Sequence, residues 1–313
     1  MRILITGASS FTGFWFVRQL IQAGHEVAAI FRGRSIEDYT DVRAQRVAEL
    51  TKLAKCYWQM SFGDDAFLEL LRSGFDVLCH HAADARNYRS EDFDYLTALG
   101  ENTRSIRSTL EICQKNQTTL VLTCSVFEAN QGAGSEPLRA FSPYGLSKTL
   151  TREAFIYYAE SMNVPLKLFT IPNPFGPYEE PRFTQYLVKT WATGQIPEVK
   201  TPDYVRDNIP VDLLALCYVN FLGRKQLLPI EKMNPSGYVE SQGQFARRFA
   251  SELSCRLGIE LQVKLQKQTD FTEPLIRINT EPGRQIVPDW AETPFWDATF
   301  QYYSGLLTMR SGR

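Results

Sequence analysis

The sequence predicts an α/β protein: a Rossmann-type doubly wound parallel sheet joined to a smaller α+β lobe. Three observations lead there. Short apolar runs alternate with helical periodicity through residues 3–171. The first run closes on a glycine-rich turn, Thr6-Gly7-Ala8-Ser9-Ser10-Phe11-Thr12-Gly13, that opens a helix. After Ile171 the alternation gives way to prolines at Pro172, Pro174, Pro177 and Pro181. Runs that are apolar throughout, rather than every second residue, suit strands covered by helices on both faces.

The elements follow in order. Ile3 to Ile5 reads as a buried strand. Phe11 to Ala23 carries Phe14, Val17, Leu20 and Ile21 at helical spacing and stops at Gly24. Val27 to Phe31 is a second strand, and Tyr57 to Met60 a weaker third. Ala66 to Arg72 reads as a helix, Val77 to Cys79 as a strand, Asn102 to Asn116 as a helix and Leu120 to Thr123 as a strand. A long helix over Tyr144 to Met162 leads to the strand Leu166 to Ile171. The expected division is a nucleotide-binding domain over residues 1–172 and a lobe over 173–313, with some later segments returning to the first domain.

Composition narrows the function classes. A chain of 313 residues with 44% hydrophobic and 22% charged residues is globular, with room for one large domain or two. Its 34 basic and 35 acidic residues leave a net charge of -1, which argues against a nucleic-acid partner. No apolar run reaches the ~18 residues of a membrane span, and Met1-Arg2-Ile3-Leu4-Ile5 enters the glycine turn too soon for a signal peptide. The six cysteines form no Cys-x-x-Cys motif, and three lie in apolar runs, so free thiols in a reducing, cytoplasmic compartment are expected. Three histidines give too few ligands at suitable spacing for a metal site, so none is expected.

The glycine turn points to a dinucleotide. Gly7 permits a tight turn, Gly13 lets the helix pack close to the sheet, and the helix N-terminus offers N–H groups to a pyrophosphate. Ser10 stands where the dinucleotide fingerprint has its middle glycine; it is small, and its hydroxyl is expected as an extra donor to the phosphates. The second strand ends in Phe31-Arg32-Gly33-Arg34. An acid after this strand bonds the ribose 2′-hydroxyl of NAD, whereas arginine pairs with the 2′-phosphate of NADP. Arg32 and Arg34 therefore favour NADP, with NAD as the alternative.

Tyr144 and Lys148 lie four apart at the start of the long helix, on one face. An ammonium near a phenol stabilises the phenolate, so such a tyrosine can exchange a proton with a carbonyl or alcohol. A lone Tyr-x-x-x-Lys recurs by chance in about one chain in two of this length. Its position strengthens it, because Ser125 ends the preceding strand, where ligands of α/β sheets lie.

In this arrangement the sequence resembles the extended short-chain dehydrogenase/reductases of the NDP-sugar epimerase/dehydratase type, over nearly its whole length. Besides the turn, Gly63-Asp64 is similar to the family's Gly-Asp after the third strand. Asp76 to Ala83 is similar to its Asp-x-Val-x-His-x-Ala-Ala strand, and Asn102 to its helix asparagine. Ser125, Tyr144 and Lys148 match the catalytic trio. Asn173-Pro174-Phe175-Gly176-Pro177 resembles the Asn-x-x-Gly-Pro turn, and Arg206 to Asp212 the Arg-Asp-x-x-x-Val-x-Asp segment. The resemblance implies that Gly7, Ser9, Ser10, Phe11, Thr12, Gly13, Asp64, Ala82, Ala83 and Asn102 line the cofactor. Asp64 is expected on the adenine and Lys148 on the nicotinamide ribose. It also implies that Ser125, Asn173, Arg206 and Asp207 meet a sugar-nucleotide substrate, with Arg206 on its pyrophosphate. A homodimer is expected on the same ground. His80 and His81 read as strand residues beside the cofactor rather than acid/base groups.

Dehydratases of this family follow the catalytic Ser/Thr with Asp-Glu. Here Val126-Phe127 follows, and neither moves a proton. An epimerase keeps NAD and returns the hydride; a reductase takes hydride from exchangeable NADPH. The two arginines, and Glu128-Ala129-Asn130 in place of the usual Val-Tyr-Gly, favour a reductase of an NDP-4-keto-6-deoxyhexose, with a 4-epimerase as the alternative. A non-catalytic NADP-binding sensor is the remaining class; an intact trio weighs against it.

Overall fold

The computed structural model describes residues 1–308, which divide into two compact units. Of these residues the first holds 1–131, 136–171 and 215–234; the second holds 132–135, 172–214 and 235–308.

In the first unit the chain runs β1 (Arg2–Ile5), α1 (Phe11–Gln22), β2 (Glu26–Ile30), α2 (Asp41–Leu50), β3 (Lys55–Tyr57), α3 (Asp65–Arg72) and β4 (Val77–His80). It continues through α4 (Tyr95–Asn102), α5 (Ile106–Asn116) and β5 (Thr119–Ser125). After β6 (Ala133–Gly134), which belongs to the second unit, come α6 (Pro143–Ser161) and β7 (Leu166–Ile171). The second unit then supplies β8 (Asn173–Phe175), α7 (Phe183–Ala192), β9 (Glu198–Val199) and β10 (Val205–Pro210). α8 (Val211–Gly223) carries the chain back, and β11 (Ile230–Met233) completes the first unit's sheet.

That sheet has seven strands in the order β11-β7-β5-β4-β1-β2-β3, and every pairing is parallel. One face packs Leu4, Leu78, Leu120 and Leu122 against Phe67, Leu110 and Phe155 of α3, α5 and α6. On α1 and α8, Phe16 stacks on Tyr218 at 4.0 Å and meets Phe169 of β7 edge-on. Helices on both faces explain the continuous apolar runs. Lys167 and Thr170 are the exceptions in β7; Lys167 Nζ donates to the carbonyls of Phe221 and Arg224, both at 2.7 Å, and so caps the end of α8. The strand order reverses between β1 and β4, and in such folds the ligand crevice opens at the carboxyl ends of the strands there.

Two expectations need correction. The helix expected over Asn102 to Asn116 is broken: α4 ends at Asn102, α5 starts at Ile106, and Ser105 adopts a left-handed φ of 48°. The break brings the Arg104 carbonyl against Gly63, where a Cβ would lie 2.1 Å from it. The third strand lies earlier than Tyr57 to Met60, because β2 pairs with Lys55, Cys56 and Tyr57.

The second unit centres on β10, which pairs with β8, with β12 (Tyr238–Ser241) and with β13 (Ile276–Ile278). Its core gathers Phe175, Trp191, Phe295 and Trp296 with Phe245 and Phe249 of α9 (Gln242–Leu257).

Candidate functional site

The glycine turn sits at the strand-order reversal. A Cβ on Gly7 would stand 2.8 Å from the Ala82 nitrogen, just past β4, and one on Gly13 would stand 2.2 Å from the Gly7 carbonyl oxygen. Both positions exclude any side chain. The turn is thus a cradle in which backbone alone lines the approach, as a pyrophosphate requires. Phe11 is buried in the core, so its ring is out of a ligand's reach and only its backbone belongs to the turn. Ser9 is buried too, and its carbonyl accepts from Nε of the fully buried Arg46 at 3.0 Å. Arg46 escaped sequence analysis because nothing in the polar pattern of α2 marks one arginine as internal.

Ser10 behaves differently from expectation. Its Oγ caps α1 by accepting from the Gly13 N–H at 3.1 Å, and it lies 3.0 Å from His81 Nε2. The hydroxyl is therefore turned into the protein instead of toward a phosphate. Thr12 Oγ1 also lies 3.0 Å from His81 Nε2. The hydroxyl of Thr6 accepts the His81 and Ala82 N–H groups at 3.0 and 2.8 Å, tying the ends of β1 and β4 together; Ala83 beside it is half-buried.

Just past β2, Arg32 and Arg34 are exposed. The loop also holds a carboxylate: Asp38, four residues past Arg34, accepts the Arg34 backbone N–H at 2.6 Å. Asp64 is the N-cap of α3, its two oxygens accepting from Phe67 N–H at 2.7 Å and Ser61 N–H at 2.6 Å. Asn102 does not face a cofactor. It is 3% exposed, its Oδ1 accepts from Asp84 N–H, and its Nδ2 donates to Thr151 Oγ1, so it ties α4 to α6. His80 is also internal. It lies 3.2 Å from Thr6 Oγ1 and 2.9 Å from the Asn102 carbonyl, and burial pushes its pKa down to about 3.

Ser125, Tyr144 and Lys148 are carried by β5 and α6. Ser142 caps α6 and Pro143 opens it. A Cβ on Gly145 would lie 2.3 Å from the Phe127 carbonyl oxygen, so this glycine lets the start of α6 rest directly on the turn after Ser125. Tyr144 is thereby brought to that turn. Its ring meets Phe127, Tyr88 and Phe93 edge-on at centroid distances of 6.3, 5.6 and 5.8 Å. One helical turn on, Lys148 is buried and its Nζ donates to the Thr123 carbonyl at 2.6 Å. Ser125 Oγ accepts from Phe127 N–H at 3.2 Å, which leaves its O–H to donate elsewhere.

Glu128 is fully buried. It accepts from the Ser125 N–H at 2.7 Å and pairs with Arg152 at 3.3 Å. Burial raises its pKa, opposed by Lys148 and Arg152. This glutamate shapes the Ser125 turn and has no open side from which to remove water from a substrate.

In the second unit the expected substrate residues separate. Asn173 on β8 carries a buried Nδ2 with no hydrogen-bond partner among the described residues. Arg206 stacks over Tyr204 at 4.5 Å, donates to the Pro274 carbonyl at 3.0 Å and pairs with Glu273 at 2.8 Å. Asp207 contradicts expectation. It is fully buried, and its two oxygens accept from Gly237 N–H at 2.7 Å and Asn279 N–H at 3.1 Å. It anchors backbone and is out of a substrate's reach.

Among the described residues no helix is long and apolar enough to cross a membrane, and no group of three or more His, Cys, Asp and Glu could hold a metal. The profile of the NAD dependent epimerase/dehydratase family matches residues 3–228. A Bacillus subtilis protein described as an uncharacterized UDP-glucose epimerase is 26% identical over 192 residues, 58% of this chain and 59% of its own length. The chain thus spans less than two thirds of that relative. A Bacillus cereus UDP-glucuronic acid 4-epimerase, solved with NAD and a fluorinated substrate analogue, superposes with a TM-score of 0.78 at 20% identity, covering 98% of this chain and 100% of the other. A dTDP-glucose 4,6-dehydratase of Streptomyces venezuelae superposes with a TM-score of 0.73 at 17% identity, with 97% of each chain covered. These two share the fold.

Proposed function

The chain belongs to the NAD dependent epimerase/dehydratase family, and from that premise we propose that it is an NAD(P)-dependent sugar-nucleotide 4-epimerase. The observation that carries this reading is the packing of Gly145 on the Phe127 carbonyl, which seats Tyr144 at the Ser125 turn on the glycine-turn unit. Gly7, Gly13 and the first-turn N–H groups of α1 would hold the pyrophosphate, and NAD(P) bound there supplies hydride acceptance and return at a sugar carbon. Tyr144 accepts the proton of the sugar hydroxyl at its phenolic oxygen and later returns it. Ser125 donates its O–H to the same sugar oxygen. Lys148 fixes positive charge one turn along α6. Asn173, whose buried Nδ2 has no partner among the described residues, and Arg206 are the substrate contacts of the second unit. The buried Glu128–Arg152 pair and the apolar Val126 speak against 4,6-dehydration.

The keto-sugar reductase favoured by the sequence is the second reading, and the exposed Arg32 and Arg34 support it through a preference for NADPH. The UDP-sugar epimerases among the relatives weigh toward the first. A homodimer in the cytoplasm accords with both, and the exposed Leu146, Leu150 and Tyr157 of α6 offer an apolar face for the contact. The test is incubation with UDP-glucose or UDP-glucuronic acid and catalytic NAD, followed by proton NMR. Appearance of the 4-epimer with no net change in cofactor supports epimerase. Stoichiometric oxidation of NADPH by a 4-keto-6-deoxyhexose nucleotide, with no epimer formed, selects the reductase.

A further inference from the structure

We propose that His81 is a positioning residue that joins the glycine turn to Lys148, so that the state of the turn is felt at the Tyr144 helix. The contacts form one line. Thr12 Oγ1 and Ser10 Oγ on α1 each lie 3.0 Å from His81 Nε2. On the other side of the ring, His81 Nδ1 lies 3.0 Å from Thr123 Oγ1 on β5. The carbonyl of that same Thr123 accepts from Lys148 Nζ at 2.6 Å. The ring is held edge-on against Phe16 at 5.1 Å, and its backbone N–H is held by Thr6, so it has little freedom to answer a change on one side without transmitting it.

The chemistry of the ring makes the connection directional. Burial, and then the Lys148 ammonium, lower the His81 pKa, so the ring is neutral at pH 7 and offers one donor and one acceptor. Ser10 Oγ already accepts the Gly13 N–H and has its own O–H to give. With Nδ1 protonated, Nε2 accepts from Ser10 and Thr12 while Nδ1–H donates to Thr123; in the other tautomer the roles exchange, and in both the neutral ring donates at one end and accepts at the other. A shift of the α1 N-terminus around a bound pyrophosphate moves Thr12, the ring, and then the peptide that holds Lys148. His80, by contrast, bonds Thr6 and Asn102 and stands outside this line.

The inference rests on the reading of the glycine turn as a cofactor cradle, and the test separates the two. In the full chain with ¹⁵N-labelled lysine and no added nucleotide, the Lys148 ammonium signal is assigned through Lys148→Arg. Thr12→Val, which deletes one hydroxyl at nearly constant shape, should move that signal. In a His81→Leu background it should not. In titrations with NADH and NADPH, Thr12→Val and Thr123→Val should each weaken binding about 3- to 10-fold, and the pair should be no weaker than the larger single variant. His81→Gln, whose amide reaches Ser10 and Thr12, should bind better than His81→Leu. A Lys148 signal that Thr12→Val leaves in place, or moves equally without His81, overturns the proposal, as does a pair whose losses multiply. If His81→Leu does not fold, the two valine variants still decide the matter. Failure of every form to bind either nucleotide, with the Lys148 shift intact, overturns the cofactor reading and supports the connection.

Discussion

Glu128 in the first unit and Asp207 in the second are both fully buried carboxylates. Glu128 faces Arg152 and the N–H of Ser125. Asp207 faces the backbone N–H groups of Gly237 and Asn279, and burial pushes its pKa up to about 6. At the edge where the chemistry is placed, a buried charge is met by a buried opposite charge, and the Ser125 turn it braces is fixed. In the second unit a buried acid holds loops together through two backbone N–H groups and the Ser236 side chain, and its pKa is pushed up to about 6. A carboxylate beside a site residue is thus no sign of function in itself; its partners decide whether it braces, anchors or reacts.

That contrast can be tested, and the largest effect belongs to the first unit. Tyr144→Phe keeps the aromatic packing and removes only the hydroxyl. We expect kcat to fall about 10²- to 10⁴-fold with cofactor binding intact, because the proton moves only in the transition state. Activity equal to the parent would break the assignment of chemistry to this edge.

Arg206→Ala probes the other unit. Removal of a charged contact to a nucleotide pyrophosphate should weaken sugar-nucleotide binding by about 2–5 kcal/mol and leave NADH and NADPH binding unchanged. If calorimetry finds cofactor and substrate weakened alike, the Arg206–Glu273 pair is structural and Asn173 alone remains as the second unit's ligand residue.

Asp207→Asn sharpens the anchor reading. The folded pKa of about 6 lies above the value of about 3.9 in an unfolded chain. Stability from the neutral acid is therefore complete below about pH 4 and lost as pH rises through about 6, by roughly 2–3 kcal/mol. The parent should melt lower at pH 8 than at pH 4.5. The asparagine variant should melt lower than the parent at pH 4.5 and show a flatter profile. An unchanged slope in thermal melts would show that Asp207 is not the group responsible.

The smallest effect is expected at the exposed Arg32. Arg32→Asp should move the ratio of NADPH to NADH affinity about 10-fold toward NADH, the low end for a charge-assisted contact. No change would leave the neighbouring Arg34, or neither arginine, as the reader of the ribose.

The sheet was readable because its strands are buried on both faces and its helices on one. Ile3 to Ile5 is apolar throughout and Leu166 to Ile171 at every position but Lys167 and Thr170, and the Gly7 to Gly13 turn between strand and helix has few other uses. The α4–α5 break was not readable, since Thr103-Arg104-Ser105 continues a helical pattern and only the approach of Gly63 to the Arg104 carbonyl demands a stop. Arg46 and the inward turn of Ser10 were equally hidden. Burial of one arginine among many, or the direction of one hydroxyl, depends on neighbours dozens of residues away.

By itself the sequence determined the parallel sheet, the glycine cradle and the pairing of Tyr144 with Lys148, because each rests on local spacing: a strand's apolar run, a turn that admits no side chain, two residues one helical turn apart. Only the tertiary structure decided that Asp207 and Asn102 are anchors, that Glu128 is spent on Arg152, and that His81 stands between the turn and Lys148. Those roles are set by which polar groups meet when distant segments pack. The residue type fixes what a side chain can donate or accept, and the fold alone fixes to whom.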